Sequence, residues 1–249
     1  MPDLLAEAWQ TPGLAYLALV IGGAGLVRGF AGFGTGLIFI PLGSLVLDPV
    51  WVIVALMAAD LVGTLPLVPR AVRDGRLRDV AALVLGCAIM LPLGTMVLER
   101  LDDTLFRWIA SGLALLMVAV LASGWRHHIV LNRRALVAVG GLGGFLGGTS
   151  GLPGPPVVFA YMSGQYPAQR IRANTLLFLL LFEFLLAATF LLRGLFVPQA
   201  FAIGVLLIVP YIIGNLLGAR IFDPRHARLY RTVAYVIIAG SAIAALPVF

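Results

Sequence analysis

Residues 22–41 read GGAGLVRGFAGFGTGLIFIP and residues 141–156 read GLGGFLGGTSGLPGPP. Gly22, Gly25, Gly29 and Gly32 of the first stretch recur as Gly141, Gly144, Gly148 and Gly151 in the second, at a constant offset of 119 residues. The 3-4-3 spacing sets four glycines on one helical face, where another backbone can approach closely. After the last glycine of each set, regular helix becomes unfavourable. Gly32-Phe33-Gly34-Thr35-Gly36 is glycine-rich, and in Leu152-Pro153-Gly154-Pro155-Pro156 the prolines remove donors and disfavour helix in the residue before them. Both breaks lie inside long apolar segments, Leu14 to Leu47 and Ala135 to Ser163. Paired, interrupted hydrophobic segments in corresponding places of two halves point to the binding site of a duplicated secondary transporter.

Composition agrees with a membrane location. The 249 residues are 61% hydrophobic and 11% charged, which excludes a soluble globular chain. All 17 basic residues are arginine, and they fall mainly in short gaps between apolar runs, where they orient a chain in the bilayer. Nucleic acid is therefore not an expected partner; the lipid bilayer is. Cys87 stands alone, without a partner for a disulfide or a metal, and reads as a buried small residue. Asp3 and Glu7 occupy the place of a basic signal-peptide region, so the first apolar segment is expected to be retained.

Six cleaner apolar runs, Val50–Pro69, Val80–Leu98, Leu105–Ser123, Ala173–Leu192, Leu195–Gly218 and Thr232–Phe249, are each about the 20 residues a spanning helix needs. The duplication continues through them. Gly75 matches Gly194, and after a one-residue slip Gly94, Arg100 and Asp103 match Gly214, Arg220 and Asp223. This divides the chain into a first membrane repeat at 1–124, a basic linker at 125–134 and a second membrane repeat at 135–249.

Each broken segment is too long for one span, since 34 helical residues would reach about 50 Å against a hydrocarbon core of about 30 Å. If each crosses once, the loop arginines divide eight against eight and give no orientation. If each turns at its break and returns, the halves become inverted. Arg70, Arg73, Arg76, Arg78, Arg126, Arg133, Arg134, Arg170, Arg172, Arg220, Arg225, Arg228 and Arg231 then share one side, against Arg100, Arg107 and Arg193 on the other. That thirteen-to-three division obeys the positive-inside rule and puts both termini outside. The expected fold is an all-α integral membrane protein of two inverted repeats, each with a Gly/Pro-broken or re-entrant helical segment plus three transmembrane helices. Trp9, Trp51, Trp108, Trp125, Tyr166 and Tyr230 sit near the expected boundaries, as an aromatic belt requires.

Irregular backbone at membrane depth is tolerated only where protein buries it or it lines a polar cavity. Each break also begins a short helix whose exposed N–H groups favour an anion, and Pro155 and Pro156 suit a first helical turn. The candidate substrate-binding residues are therefore Gly32, Gly34, Thr35 and Gly36 at one break, and Thr149, Ser150, Gly151 and Gly154 at the other. Arg28, close to the first break, adds a planar fork suited to an oxyanion, or snorkels to an interface. Asp60 and Glu183 are the acids well inside apolar spans, in nearly corresponding positions. Each is a candidate proton carrier, unless pairing with Arg28 keeps its carboxyl ionised or it bonds a neighbouring helix as a neutral acid. Asn174 is a further possible ligand.

Gly148-Thr149-Ser150-Gly151 matches a short nucleophile motif of intramembrane serine proteases, but His127, His128 and His226 all fall in arginine-rich connections rather than in a span. No enzyme, cofactor or metal site is expected. The residues 29–38 with Pro41, and the residues 147–156, resemble those of the sulfite exporter TauE/SafE family of membrane transporters, over almost the whole chain. The resemblance implies secondary transport of small anions, sulfur-containing oxyanions or organosulfonates such as sulfite, across the bacterial cytoplasmic membrane. H+ or Na+ is the expected coupling ion. An anion channel is the alternative, and the oligomeric state stays open, a homodimer included.

Overall fold

A computed structural model describes residues 2–124, 131–161 and 166–248. Trp125, Arg126, His127, His128 and Phe249, like Ser163 at the end of the second broken segment, lie outside the described residues. The described chain is helical, with no strand: α1 Pro2–Trp9, α2 Leu14–Ala31, α3 Thr35–Gly43, α4 Pro49–Thr64, α5 Val68–Asp74, α6 Leu77–Leu98, α7 Asp103–Ser123, α8 Arg133–Ser150, α9 Gly154–Tyr161, α10 Ala168–Arg193, α11 Pro198–Ile221 and α12 Ala227–Ala245. Five helices are long and apolar enough to cross a membrane, or six if α4 and α5 are taken as one span. The run expected over Val50–Pro69 is instead divided by a 3-10 turn at Leu65–Leu67. Pro66 and Pro69 withhold N–H groups there, so α-helical bonding cannot continue unbroken.

Both helix breaks fall where the glycine sets end. Gly32 (φ 81°) and Gly151 (φ 71°) adopt the left-handed conformation that closes α2 and α8, with N–H groups bonded to the carbonyls of Arg28 and Gly147. Gly34 (φ 110°) then launches α3. Pro155 and Pro156 lie in the first turn of α9.

The described chain forms two compact units, and each draws on both halves of the sequence: residues 1–63, 102–122 and 197–249 in one, 64–101 and 123–196 in the other. In the first unit α2 lies directly on α11. A methyl group at Gly29 would overlap the Asn215 carbonyl, one at Gly25 would stand 2.5 Å from the Tyr211 carbonyl oxygen, and one at Gly218 would overlap the Leu26 carbonyl. In the second unit α8 lies on α6 in the same manner: a methyl group at Gly86 would overlap the Val137 carbonyl, and one at Gly144 would stand 2.5 Å from that of Cys87. The glycine helix of each half thus packs on the helix that holds the matching place in the other half. Small residues allow this close approach, which replaces the hydrophobic drive that lipid cannot supply.

Helix direction shows what the breaks do. Gly25 and Gly29 meet Tyr211 and Asn215, so α2 and α11 run the same way; Ala55 and Gly63 meet Gly204 and Tyr211, so α4 runs with them. Two successive long helices with one direction require a return between them, and α3 makes it. The segment closes on itself, with Val46 Cγ1 3.0 Å from where a Gly13 side chain would begin and Tyr16 donating to the Leu42 carbonyl at 3.2 Å. In the second unit, Gly143 and Gly147 meet the rings of Phe178 and Phe182 in step, so α8 and α10 are also parallel. Pro153 doubles back over Gly143 and Gly147 to begin that return. In each unit the chain therefore turns at its break between two parallel helices.

Candidate functional site

The hairpin of the first unit brings together side chains from four helices. Arg28 is on the last turn of α2, where a cation also complements the carboxyl end of the helix dipole. Its Nη1 donates to Asp60 Oδ1 of α4 at 2.6 Å and to Thr35 Oγ1, the first residue of α3, at 3.5 Å. Tyr211 of α11 donates its hydroxyl to the same Asp60 Oδ1 at 2.7 Å. The Arg28 and Asp60 side chains are 15% and 13% exposed, while Thr35 and Tyr211 are buried.

Local sequence explains the convergence. The positive φ values at Gly32 and Gly34 reverse the chain within three residues and set the amino end of α3 beside Arg28. Gly63 leaves room for the Tyr211 ring, which lies where a larger side chain would stand. The result is an arginine paired with a carboxylate at the point where a helix begins with N–H groups that have no partner within the helix. Such a group can exchange its carboxylate for the oxygens of an anion.

At the second break the polar groups are turned inward. Thr149 donates to the carbonyls of Phe145 (2.8 Å) and Gly94 (3.3 Å), and Ser150 donates to that of Leu146 (2.8 Å). Both side chains are buried. Gly147 and Gly151 carry the turn, Gly154 faces Leu179, and Glu183 is half-buried on α10. Asn174 is a structural clasp: its amide donates to Tyr161 Oη at 2.9 Å and its carbonyl oxygen accepts from the Arg76 N–H at 2.7 Å.

Of the residues singled out in the sequence, Arg28, Gly32, Gly34, Thr35, Gly36 and Asp60 belong to the first unit. Thr149, Ser150, Gly151, Gly154 and Glu183 belong to the second. Tyr211 escaped the sequence reading. Its only signal is a hydroxyl in the middle of an apolar helix, directly after Pro210, which is easily taken for core. Among the described residues no three His, Cys, Asp or Glu side chains gather as a metal site.

A family model described as sulfite exporter TauE/SafE matches residues 17–245. The chain belongs to the sulfite exporter TauE/SafE family. It is a multi-pass membrane transporter, and the match covers both hairpins and the helices packed on them. No curated protein and no solved structure matches the chain.

Proposed function

We propose that this TauE/SafE family member is a secondary transporter of small sulfur-containing oxyanions or organosulfonates such as sulfite, with the anion held at the first helix break. The Arg28–Asp60 pair beside the amino end of α3 carries this reading. A buried ion pair contributes little net stability compared with an apolar contact, so its place at a break in the backbone argues for use rather than support. The incoming anion takes the guanidinium fork of Arg28, with Thr35 and the N–H groups around Gly34 and Gly36 completing its shell. Asp60, relieved of its cation, then takes up a proton while keeping Tyr211 as a neighbour. One proton therefore moves with one anion. Glu183 is the second candidate carrier, and Thr149, Ser150, Gly151 and Gly154 line the corresponding turn of the other hairpin.

The membrane arrangement that fits this cycle is two inverted repeats in a bacterial cytoplasmic membrane. Two returning hairpins give each half an odd number of passes, and the thirteen-to-three arginine division then has a consistent side. The decisive measurement is sulfite uptake into proteoliposomes by wild type and Arg28→Gln, with thermal unfolding checked in parallel. Uptake by the variant at the wild-type rate would place the anion elsewhere. Asp60→Asn is expected to keep counterflow exchange and lose accumulation driven by a proton gradient.

A further inference from the structure

At the end of the second unit where α5 and the start of α10 meet, a cleft of about 800 Å³ is lined by Arg70, Arg73, Asp74, Gln169 and Arg170. The transport reading uses none of these residues. Three arginines converge on a concavity, although charges on a bare helix end would spread apart. The walls are held in place from below. Ala71 of α5, Val80 of α6, and Ala173 and Leu177 of α10 form one buried cluster. Asn174 ties the Arg76 N–H to Tyr161 beside it. Arg170 stands at the head of the stripe Arg170, Ala173, Asn174, Leu177, whose spacing keeps it on the packed face, and it is half-buried. Arg70 and Arg73 are one turn apart on α5, opposite the buried Ala71.

The charges do not cancel within the cleft. Asp74 reaches Arg70 at 3.5 Å. No carboxylate lies within ion-pair distance of Arg73 or Arg170 among the described residues, which leaves a net positive recess on a rigid base. Guanidinium groups lining one recess favour a phosphate, whose oxygens match the fork.

Its surroundings specify the kind of phosphate. The helix of α10 long and apolar enough to span covers Gln169–Arg193, and its apolar run begins at Ala173, which sets Arg170 one turn before that run, where headgroups meet hydrocarbon. Leu67 and Val72, on the chain that carries Arg70 and Arg73, are exposed apolar residues. We infer that this cleft is a binding site for the headgroup phosphate of an anionic phospholipid, with the acyl chains lying along the exposed apolar side chains next to it.

Native mass spectrometry of the delipidated full-length protein, titrated with phosphatidylglycerol or phosphatidylcholine, tests the assignment. Phosphatidylglycerol is expected to form a retained 1:1 adduct, with phosphatidylcholine at least tenfold weaker. The triple change Arg70→Gln, Arg73→Gln, Arg170→Gln should weaken the phosphatidylglycerol adduct at least tenfold. A charge-matched triple change at Arg133, Arg134 and Arg228 should leave it unchanged. Arg170→Gln alone, the mildest variant, should weaken it at least threefold. Equal retention by the cleft variants and wild type would overturn the site. Displacement of the lipid by millimolar inorganic phosphate would reassign the cleft to a soluble oxyanion and overturn the lipid assignment. Because the readout is lipid binding, it stands or falls independently of sulfite transport.

Discussion

At the first break Arg28, Thr35, Asp60 and Tyr211 meet, whereas the matched positions of the second hold Gly147, Gly154, Leu179 and Leu91. The backbones are alike: a glycine helix on a partner helix, a left-handed cap, a short returning helix and a parallel neighbour. The side chains differ at every one of those four positions. The space is filled from opposite directions as well. In the first unit Tyr211 lies over Gly63, while in the second Phe182, at the position matching Gly63, lies over Gly147, at the position matching Arg28. Duplication has preserved the hairpin as a piece of backbone and placed the Arg28–Asp60 pair at these matched positions in one copy only. A break of this kind therefore does not need an arginine at this position to fold, because the second copy has the Phe182 ring over Gly147 there.

The comparison breaks most easily at the ion pair. Asp60→Leu copies the second break's residue but takes the carboxylate from a guanidinium that cannot lose its proton, at a cost of about 3–5 kcal/mol. Arg28→Gln should cost less, because the vacated Asp60 keeps the hydrogen bond from the Tyr211 hydroxyl. The double variant Arg28→Gln, Asp60→Asn should recover much of the loss seen in Asp60→Leu. Thermal unfolding in detergent ranks the three. A loss in the double variant equal to the sum of the losses in Arg28→Gln and Asp60→Asn taken singly would mean that the pair is not coupled, and the two breaks would then differ in appearance only. Tyr211→Phe, which removes one hydrogen bond to a charged acceptor and keeps the ring over Gly63, should cost about 1.5–3 kcal/mol. No such cost is expected from Leu91→Ile at the matched position, where no hydroxyl is involved.

Much of this contrast was legible in the sequence. The repeated 3-4-3 glycines located both breaks, and the arginine imbalance favoured return over crossing. Arg28 and Asp60 were both singled out, with pairing to Arg28 as one alternative for either Asp60 or Glu183. What periodicity and offset do not reveal is which helix of the other half each hairpin packs on, because that exchange depends on tertiary contact alone. Tyr211 went unseen for the same reason: its partner Asp60 is 151 residues away. The hydroxyls of Thr149 and Ser150 look equivalent to that of Thr35 in sequence. Their local bonding to carbonyls four residues back separates them.

What the two hairpins share can be tested at the glycine contacts, with a smaller effect. Gly86→Ala would drive a methyl group into the Val137 carbonyl, and backbone cannot yield as a side chain can. Overpacking of that kind costs about 1–3 kcal/mol. Gly112 of α7 has nothing within 4 Å of its added Cβ, so Gly112→Ala should be neutral or stabilising by up to about 1 kcal/mol. If both variants melt alike, close backbone approach is not what joins α6 to α8, and the shared architecture of the two units loses its physical basis.

The smallest effect belongs to the end of the second unit, where Glu99 after α6 meets Arg193 at the end of α10. Arg193 Nε and Nη2 donate to the two carboxylate oxygens at 2.7 and 2.9 Å. This hydrogen bonding holds the Glu99 carboxyl below its usual range. A carboxylate whose folded pKa is depressed contributes its stability above the unfolded value and loses it as pH falls through the folded one. The contribution should therefore be full at neutral pH and fade only in the acid range, below the ordinary carboxylate value of about 4.3. The pair is solvent-exposed, so salt should screen most of it. Thermal unfolding of wild type and Glu99→Gln at low salt should differ slightly at pH 7, converge as the pH is lowered through that range, and differ less at high salt. A gap that widens on acidification would contradict the sign. It would also remove the parallel pairing of α6 and α10 at this end from the features that the ion pair supports, leaving the Asn174 clasp at the other end to hold them in register.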